Sequence, residues 1–242
     1  MKVTEHCSVT FLMSMEKAAM IDTIIFDLDG TLLNTLEDLT DSVNYALEQF
    51  DLPPRDISEI RRFVGNGANK LIERAVERRL DDVSTQQCLT TFKVHYRENM
   101  NNKTRPYEGV MELIRHLLEK EYRIAIVSNK FDKAVKELNV SYFESLFPVA
   151  IGESETVAPK PAPDSAFEAL RQLHSDVSRA IYVGDSDVDV QTAKNAGLPC
   201  VGVTWGFRDK ELLLSEGADE IIDSPMELLS LLDRRNEMCG II

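Results

Sequence analysis

The chain has 242 residues, enough for one large domain or for a core domain carrying an inserted module. Its formal net charge of −14 excludes a basic nucleic-acid-binding surface and requires any anionic substrate to be met by local positive charge. Hydrophobic residues make up 43% and charged residues 28%, an ordinary globular balance, and no apolar run is long enough to span a membrane. Residues 1–19 fit nothing that follows and read as a loose extension; Val9–Met13 is apolar but lacks the basic flank of a secretion signal. Cys7, Cys88, Cys200 and Cys239 form no CxxC pair and read as reduced thiols of a cytoplasmic protein. The end, Cys239-Gly240-Ile241-Ile242, reads as a frayed tail.

The first structural signal is Thr23-Ile24-Ile25-Phe26-Asp27-Leu28-Asp29-Gly30-Thr31. Its unalternating apolar run predicts a strand buried on both faces. Asp27 and Asp29 are two apart and point to one side while the chain stays extended. Two acids at the end of a buried strand repel, so they imply a cation between them or a proton on one of them. A solvated Asx turn is the competing explanation. Leu36, Leu39, Val43, Leu47 and Phe50 then recur at helical spacing until Pro53-Pro54. Further helices are predicted over Ile57–Phe63, Ala68–Leu80 and Thr85–Asn99, with the glycine-punctuated loop Val64–Asn69 among them. Residues 35–104 therefore read as an all-helical insert, and residues 20–34 and 105–242 as the core.

Beyond the insert the pattern becomes α/β. Val110–Glu121 reads as a helix and Tyr122–Val127 as a buried strand running into Ser128-Asn129-Lys130. After another helix and a weak strand at Pro148–Ile151, a polar loop carries Lys160 between two prolines. A helix over Asp164–Leu173 takes Asp164 as its N-cap. Ala180–Val183 is a strand ending in Gly184-Asp185-Ser186-Asp187-Val188-Asp189, and the next helix stops at Gly197. Strands at Pro199–Val203 and Glu220–Ile222 and helices at Asp209–Glu216 and Met226–Asp233 complete the chain. Alternation of strands and helices predicts a Rossmann-like parallel sheet covered on both faces. Asp27/Asp29, Ser128/Asn129 and Asp185/Asp189 all follow strand C-termini, the edge where open α/β sheets bind ligands. Trp205-Gly206-Phe207 reads as packing near the sheet edge.

In this order, these motifs resemble the haloacid dehalogenase superfamily of phosphotransferases over about residues 20–235. Asp27-Leu28-Asp29-Gly30-Thr31 resembles motif I, Ser128-Asn129 motif II, Lys160-Pro161 motif III and Gly184–Asp189 motif IV. The insert lies where the family carries a helical cap. Val64-Gly65-Asn66-Gly67, Ser128-Asn129-Lys130, Lys160-Pro161-Ala162-Pro163 and Gly202–Gly206 are similar to the phosphoglycolate phosphatase branch. Asn34 departs from the pattern, where relatives often carry Asp.

The resemblance implies phosphomonoester hydrolysis through an aspartyl-phosphate, with Asp27 as nucleophile and Asp29 as general acid and base. Attack on a dianionic phosphate at about 4 Å costs about 8 kcal/mol at an effective dielectric of about 20, more than five decades of rate. Mg²⁺ is the natural countercharge. It would be held by Asp27, Asp185 and the Asp29 carbonyl, with Asp189 as ligand or holder of a metal-bound water. Lys160 would neutralise the phosphate and Asp27. Thr31, Ser128 and the Asn129 backbone would bind the phosphoryl group; Gly65, Asn66, Asn69 and Lys130 would face a small leaving group. Helix capping explains Ser128-Asn129 as well, and a turn between helices explains the cap glycines. Asp187 is assigned to the helix N-terminus. The implied partner is a small phosphorylated metabolite, best represented by 2-phosphoglycolate, acted on by a monomer or homodimer. A pyrophosphatase, a phosphosugar mutase and a non-catalytic binding module are the alternatives.

Overall fold

The computed structural model describes residues 20–240; the expectations for residues 1–19 and for Ile241 and Ile242 lie outside them. The core strands are β1 (Thr23–Phe26), β4 (Arg123–Phe131), β5 (Val149–Glu153), β6 (Ala180–Gly184), β7 (Cys200–Val203) and β8 (Glu220–Ile222). They form one parallel sheet in the order β5-β4-β1-β6-β7-β8. Strand β1 is central, with Ile24 in register with Ile124 on one side and Ile181 on the other. Its four residues are all buried, as expected of a strand covered on both faces. Ile24, Phe26, Ile126 and Val183 pack into one apolar cluster, while Ile25, Val127 and Tyr182 pack into the other. That alternation is the period of two imposed by the pleat.

The helices α5 (Val110–Glu119), α6 (Asp132–Phe143) and α10 (Glu227–Gly240) bury Leu113, Leu138 and Leu231 in the first cluster. Helices α7 (Asp164–Gln172), α8 (Asp187–Ala196) and α9 (Lys210–Glu216) bury Ala169, Ala193 and Leu213 in the second. Strand order reverses at β1, so the crevice above its C-terminal end is the switch point at which such sheets bind ligands.

Helices α1 (Leu36–Glu48), α2 (Ile57–Phe63), α3 (Gly67–Val76) and α4 (Asp82–Asn99) lie between two short strands, β2 (Leu33–Asn34) and β3 (Arg105–Pro106). These pair antiparallel, Leu33 with Pro106 and Asn34 with Arg105, so the insert leaves and re-enters the core through one two-stranded neck. The buried Asp38 carboxylate reinforces the neck by accepting from the backbone N–H groups of Lys103 and Thr104, at 3.0 and 2.8 Å.

Several boundaries differ from the sequence reading. Asp164 is not an N-cap: Pro163 takes that position, and Asp164 stands in the first turn, where its charge still suits the helix dipole. Helix α3 begins at Gly67, so Ala68 and Asn69 are helical and not loop. Helix α4 starts earlier than predicted because the Asp81 side chain accepts from Ser84 N–H and caps it. Helix α10 continues to Gly240, taking Cys239 into the helix where a frayed tail was expected.

Candidate active site

The site forms where β1, β4 and β6 end. Asp27 extends β1 by one residue, its N–H donating to Val183 O at 2.9 Å. The backbone then turns at Gly30, where φ is +97° and an added Cβ would lie 2.3 Å from Asp185 Oδ2. Only glycine permits both that conformation and that approach.

Asp27, Asp185 and Asp189 are buried and bring ligand oxygens within 4.8 Å of one another. Lys160 reaches across from its loop with Nζ 2.7 Å from Asp27 Oδ1, 2.6 Å from Asp189 Oδ1 and 3.1 Å from the Tyr182 hydroxyl. Burial opposes the lysine's charge, but Asp189 and Asp27 outweigh it and hold its pKa well above the ordinary value. Asp189 is also the N3 partner of a capping box, its Oδ2 accepting from Ser186 N–H and Oγ–H. With Oδ1 on Lys160 and Oδ2 on Ser186, Asp189 is built chiefly to place the lysine.

Asp185 accepts from Thr31 Oγ1 at 3.2 Å and from Phe207 N–H at 2.6 Å. Thr31, expected on the phosphate, is thus engaged with Asp185. Burial and the Asp189 charge push Asp185 up to about 7, against the pull of Phe207 N–H, Arg208 and Thr31. Burial and Asp189 raise Asp27 as well, despite Lys160. Three buried carboxylates against one buried ammonium leave a deficit of positive charge. Hard oxygen donors in such a cluster fit a small divalent cation, which would remove that deficit.

Asp29 has a separate partner. Lys130 Nζ lies 2.9 Å from both Asp29 oxygens, with both side chains largely buried. Burial disfavours the Lys130 charge, but Asp29 overcomes it and the lysine pKa is raised. The two acids of the first motif therefore do not share a cation through their side chains; each has its own lysine.

Asn129 acts through its side chain. Its Oδ1 accepts from Lys160 N–H at 2.7 Å, and its Nδ2 donates to Lys160 O at 2.9 Å and to Gly65 O at 3.0 Å. One amide thus fixes the lysine loop and ties it to the insert. Ser128 Oγ accepts from Lys130 N–H at 3.2 Å. Gly65, Ser128, Asn129 and Lys130 all border a cavity of about 60 Å³ between insert and sheet edge, together with Asp29. Asn66 does not; its Oδ1 accepts from Arg74 on α3 at 2.7 Å. Asn69 is exposed.

Sequence reasoning missed the loop after β7. Gly206 packs so closely on Asp185 that an added Cβ would sit 2.3 Å from the Asp185 Cβ, and it is this approach that brings Phe207 N–H to the carboxylate. Trp205 Nε1 donates to Thr31 O at 3.0 Å. The signal was available, since Trp205-Gly206-Phe207 follows a strand C-terminus like the other motifs. Asp187, assigned to the helix N-terminus, stands in the first turn of α8 and also accepts from Arg208 Nε at 3.2 Å.

Residues 24–203 match the family model of haloacid dehalogenase-like hydrolases. The chain belongs to that family. A phosphoglycolate phosphatase of Mesorhizobium japonicum is 38% identical over 197 residues, covering 78% of this chain and 85% of the relative. One from Haemophilus influenzae is 33% identical over 215 residues, covering 86% and 96%. Among solved structures, a predicted phosphoglycolate phosphatase from Haemophilus somnus superposes with a TM-score of 0.82 at 30% identity, covering 87% of this chain and 97% of that one. This haloacid dehalogenase-like hydrolase is a phosphoric monoester hydrolase with the α/β Rossmann-like fold of its relatives.

Proposed function

We propose that the chain is a Mg²⁺-dependent phosphatase that hydrolyses 2-phosphoglycolate through an aspartyl-phosphate on Asp27. The observation that carries this reading is the buried Lys160 bridging Asp27 and Asp189 beside Asp185. A carboxylate that must attack an anion is held here by a buried ammonium, in a cluster whose remaining excess of negative charge a divalent cation would cancel. Asp27, Asp185 and the Asp29 carbonyl would hold Mg²⁺, which supplies the countercharge for phosphoryl transfer.

The chain's own residues do the rest. Lys160 keeps Asp27 oriented by one oxygen and meets the incoming phosphoryl charge. Ser128 and the Asn129 backbone receive phosphoryl oxygens at the strand end. Asp29, a carboxylate in its pair with Lys130, takes a proton from the water that hydrolyses the acyl-phosphate and gives that proton to the leaving oxygen of the next substrate as its bond to phosphorus breaks. The helical insert, residues 35–104, is the cap that excludes water over the cavity. A cytoplasmic setting suits the free, buried Cys88 and Cys200. The identity of the relatives as phosphoglycolate phosphatases supports the substrate.

The test is phosphate release from a panel containing 2-phosphoglycolate, pyrophosphate and glucose 1-phosphate, with and without Mg²⁺. The reading expects Mg²⁺-dependent release with strong preference for 2-phosphoglycolate. Broad weak release removes the named substrate. Turnover only with a bisphosphorylated sugar present moves the chain to the mutases.

A further inference from the structure

The cavity between insert and sheet edge is mostly apolar, walled by Leu39, Leu71, Phe92 and Phe131, yet Tyr96 also borders it. Tyr96 lies on α4 and is only 1% exposed. Its ring stacks on Phe92 at 5.6 Å and meets Phe131 edge-on at 6.4 Å, which accounts for the ring. The hydroxyl is buried and the polar group it faces is the Lys130 ammonium, which can only donate to it, so its own O–H has no acceptor. Packing alone would be served by phenylalanine, and an unpaired buried hydroxyl is costly to keep. Burial also pushes the phenol up to about 12, so it is a neutral donor at physiological pH.

Lys130 adds the second element. Its Nζ sits 4.6 Å from the centre of the Tyr96 ring. Two of its three N–H groups are accounted for by the two Asp29 oxygens and the third is directed to the Tyr96 hydroxyl oxygen, which leaves the phenol O–H as the donor to spare. A buried ammonium and a buried phenol with an unused donor thus border the same cavity, beside the proposed general acid. The cavity volume of about 60 Å³ admits a leaving group of only a few heavy atoms.

We propose that Tyr96 is the specificity-determining residue for the leaving group, its hydroxyl donating to an anionic oxygen of a short phosphomonoester whose charge is met by Lys130. The chemical class is a small phosphorylated hydroxy acid. The assignment rests on the phosphatase reading above and deepens it: Asp27, Asp185 and Lys160 serve every phosphomonoester alike, while Tyr96 and Lys130 select among them. A site built to hydrogen-bond a substrate group discriminates against the analogue lacking that group far better than an apolar wall does.

The test compares wild type with Tyr96→Phe on 2-phosphoglycolate, 2-phospholactate and ethyl phosphate, the last having the two-carbon skeleton without the carboxylate. Tyr96→Phe should lower kcat/KM for the favoured acid about 10- to 100-fold, mainly through KM, and leave ethyl phosphate within about twofold. Its thermal midpoint should stay close to that of wild type, because the hydroxyl removed donates to nothing and Lys130 keeps both Asp29 oxygens. A wild type that prefers 2-phospholactate and loses that preference in Tyr96→Phe supports Tyr96 but removes 2-phosphoglycolate as substrate. A preference for 2-phosphoglycolate that is the same in both proteins overturns the Tyr96 assignment and leaves the substrate standing. A wild type that does not distinguish either acid from ethyl phosphate overturns both.

Discussion

Arg61 of the insert and Arg208 of the core reach past each other, each guanidinium donating to backbone carbonyls of the segment opposite. Arg61 Nε and Nη2 donate to Phe207 O and Gly206 O, both at 2.8 Å. Arg208 Nη1 donates to Arg61 O and Nη2 to Val64 O, both at 2.7 Å. The segment that Arg61 grips also offers Phe207 N–H to Asp185. The position of the insert and that of the Asp185 carboxylate are therefore joined through two residues, Gly206 and Phe207.

Loss of this latch should affect turnover and metal affinity together. Arg208→Ala is expected to lower kcat/KM roughly 10-fold and to raise the Mg²⁺ concentration needed for half-maximal activity several-fold. Arg61→Lys should recover little, because an ammonium cannot reproduce the fork that spans two carbonyls. Steady-state kinetics over a Mg²⁺ series, with hydrogen exchange of α2 and α3, checks both. Unchanged Mg²⁺ dependence alongside faster exchange would separate the latch from Asp185.

The raised pKa of Asp185 fixes the sign of a pH effect. Its carboxyl titrates near 7 when folded, against an ordinary value of 3.8. Between those values the folded chain holds a proton that the unfolded chain has released, so unfolding releases protons. Stability of the metal-free protein from this group is full below about pH 4 and is lost as pH rises through 7. A divalent cation competes with that proton, so stabilisation by Mg²⁺ should grow from pH 5 to pH 8. Thermal unfolding with and without Mg²⁺ at the two pH values measures it; a Mg²⁺ increment larger at pH 5 contradicts the assignment.

Lys160 should matter to folding as much as to chemistry. Lys160→Met leaves Asp27 and Asp189 buried without their counterion, which typically destabilises by about 3–5 kcal/mol. Denaturant unfolding of the metal-free variant should register most of that loss, and Mg²⁺ should restore part of it. A variant as stable as wild type would mean the three carboxylates are already neutral.

The sheet was legible because its strands are apolar runs with little polar alternation, and each chemical motif sits where such a run stops. Asp27, Lys160, Asp185 and Asp189 could be read as one site only because strand ends converge at one edge of a parallel sheet. The amide of Asn129, the latch and the Tyr96 hydroxyl could not be read this way. Arg208 lies 144 residues from the Val64 carbonyl it grips, and a side chain bound to a backbone carbonyl leaves no trace in the partner's residue type. Asn66 was misplaced for a related reason: a glycine-flanked asparagine suggests a loop tip facing a ligand, but Arg74 two turns along α3 takes its oxygen. Tyr96 sits at a core-facing helical position, where its ring explains its presence and conceals its hydroxyl.

The central claim is that Asp27 is the group phosphorylated during turnover. The direct measurement is Mg²⁺-dependent phosphate release from 2-phosphoglycolate by wild type and by Asp27→Asn, with thermal unfolding of both. Wild type should turn over, and Asp27→Asn should lose activity by roughly three decades or more while remaining folded, since the substitution removes one of three crowded carboxylates. Turnover by a folded Asp27→Asn at a rate near wild type would contradict the account.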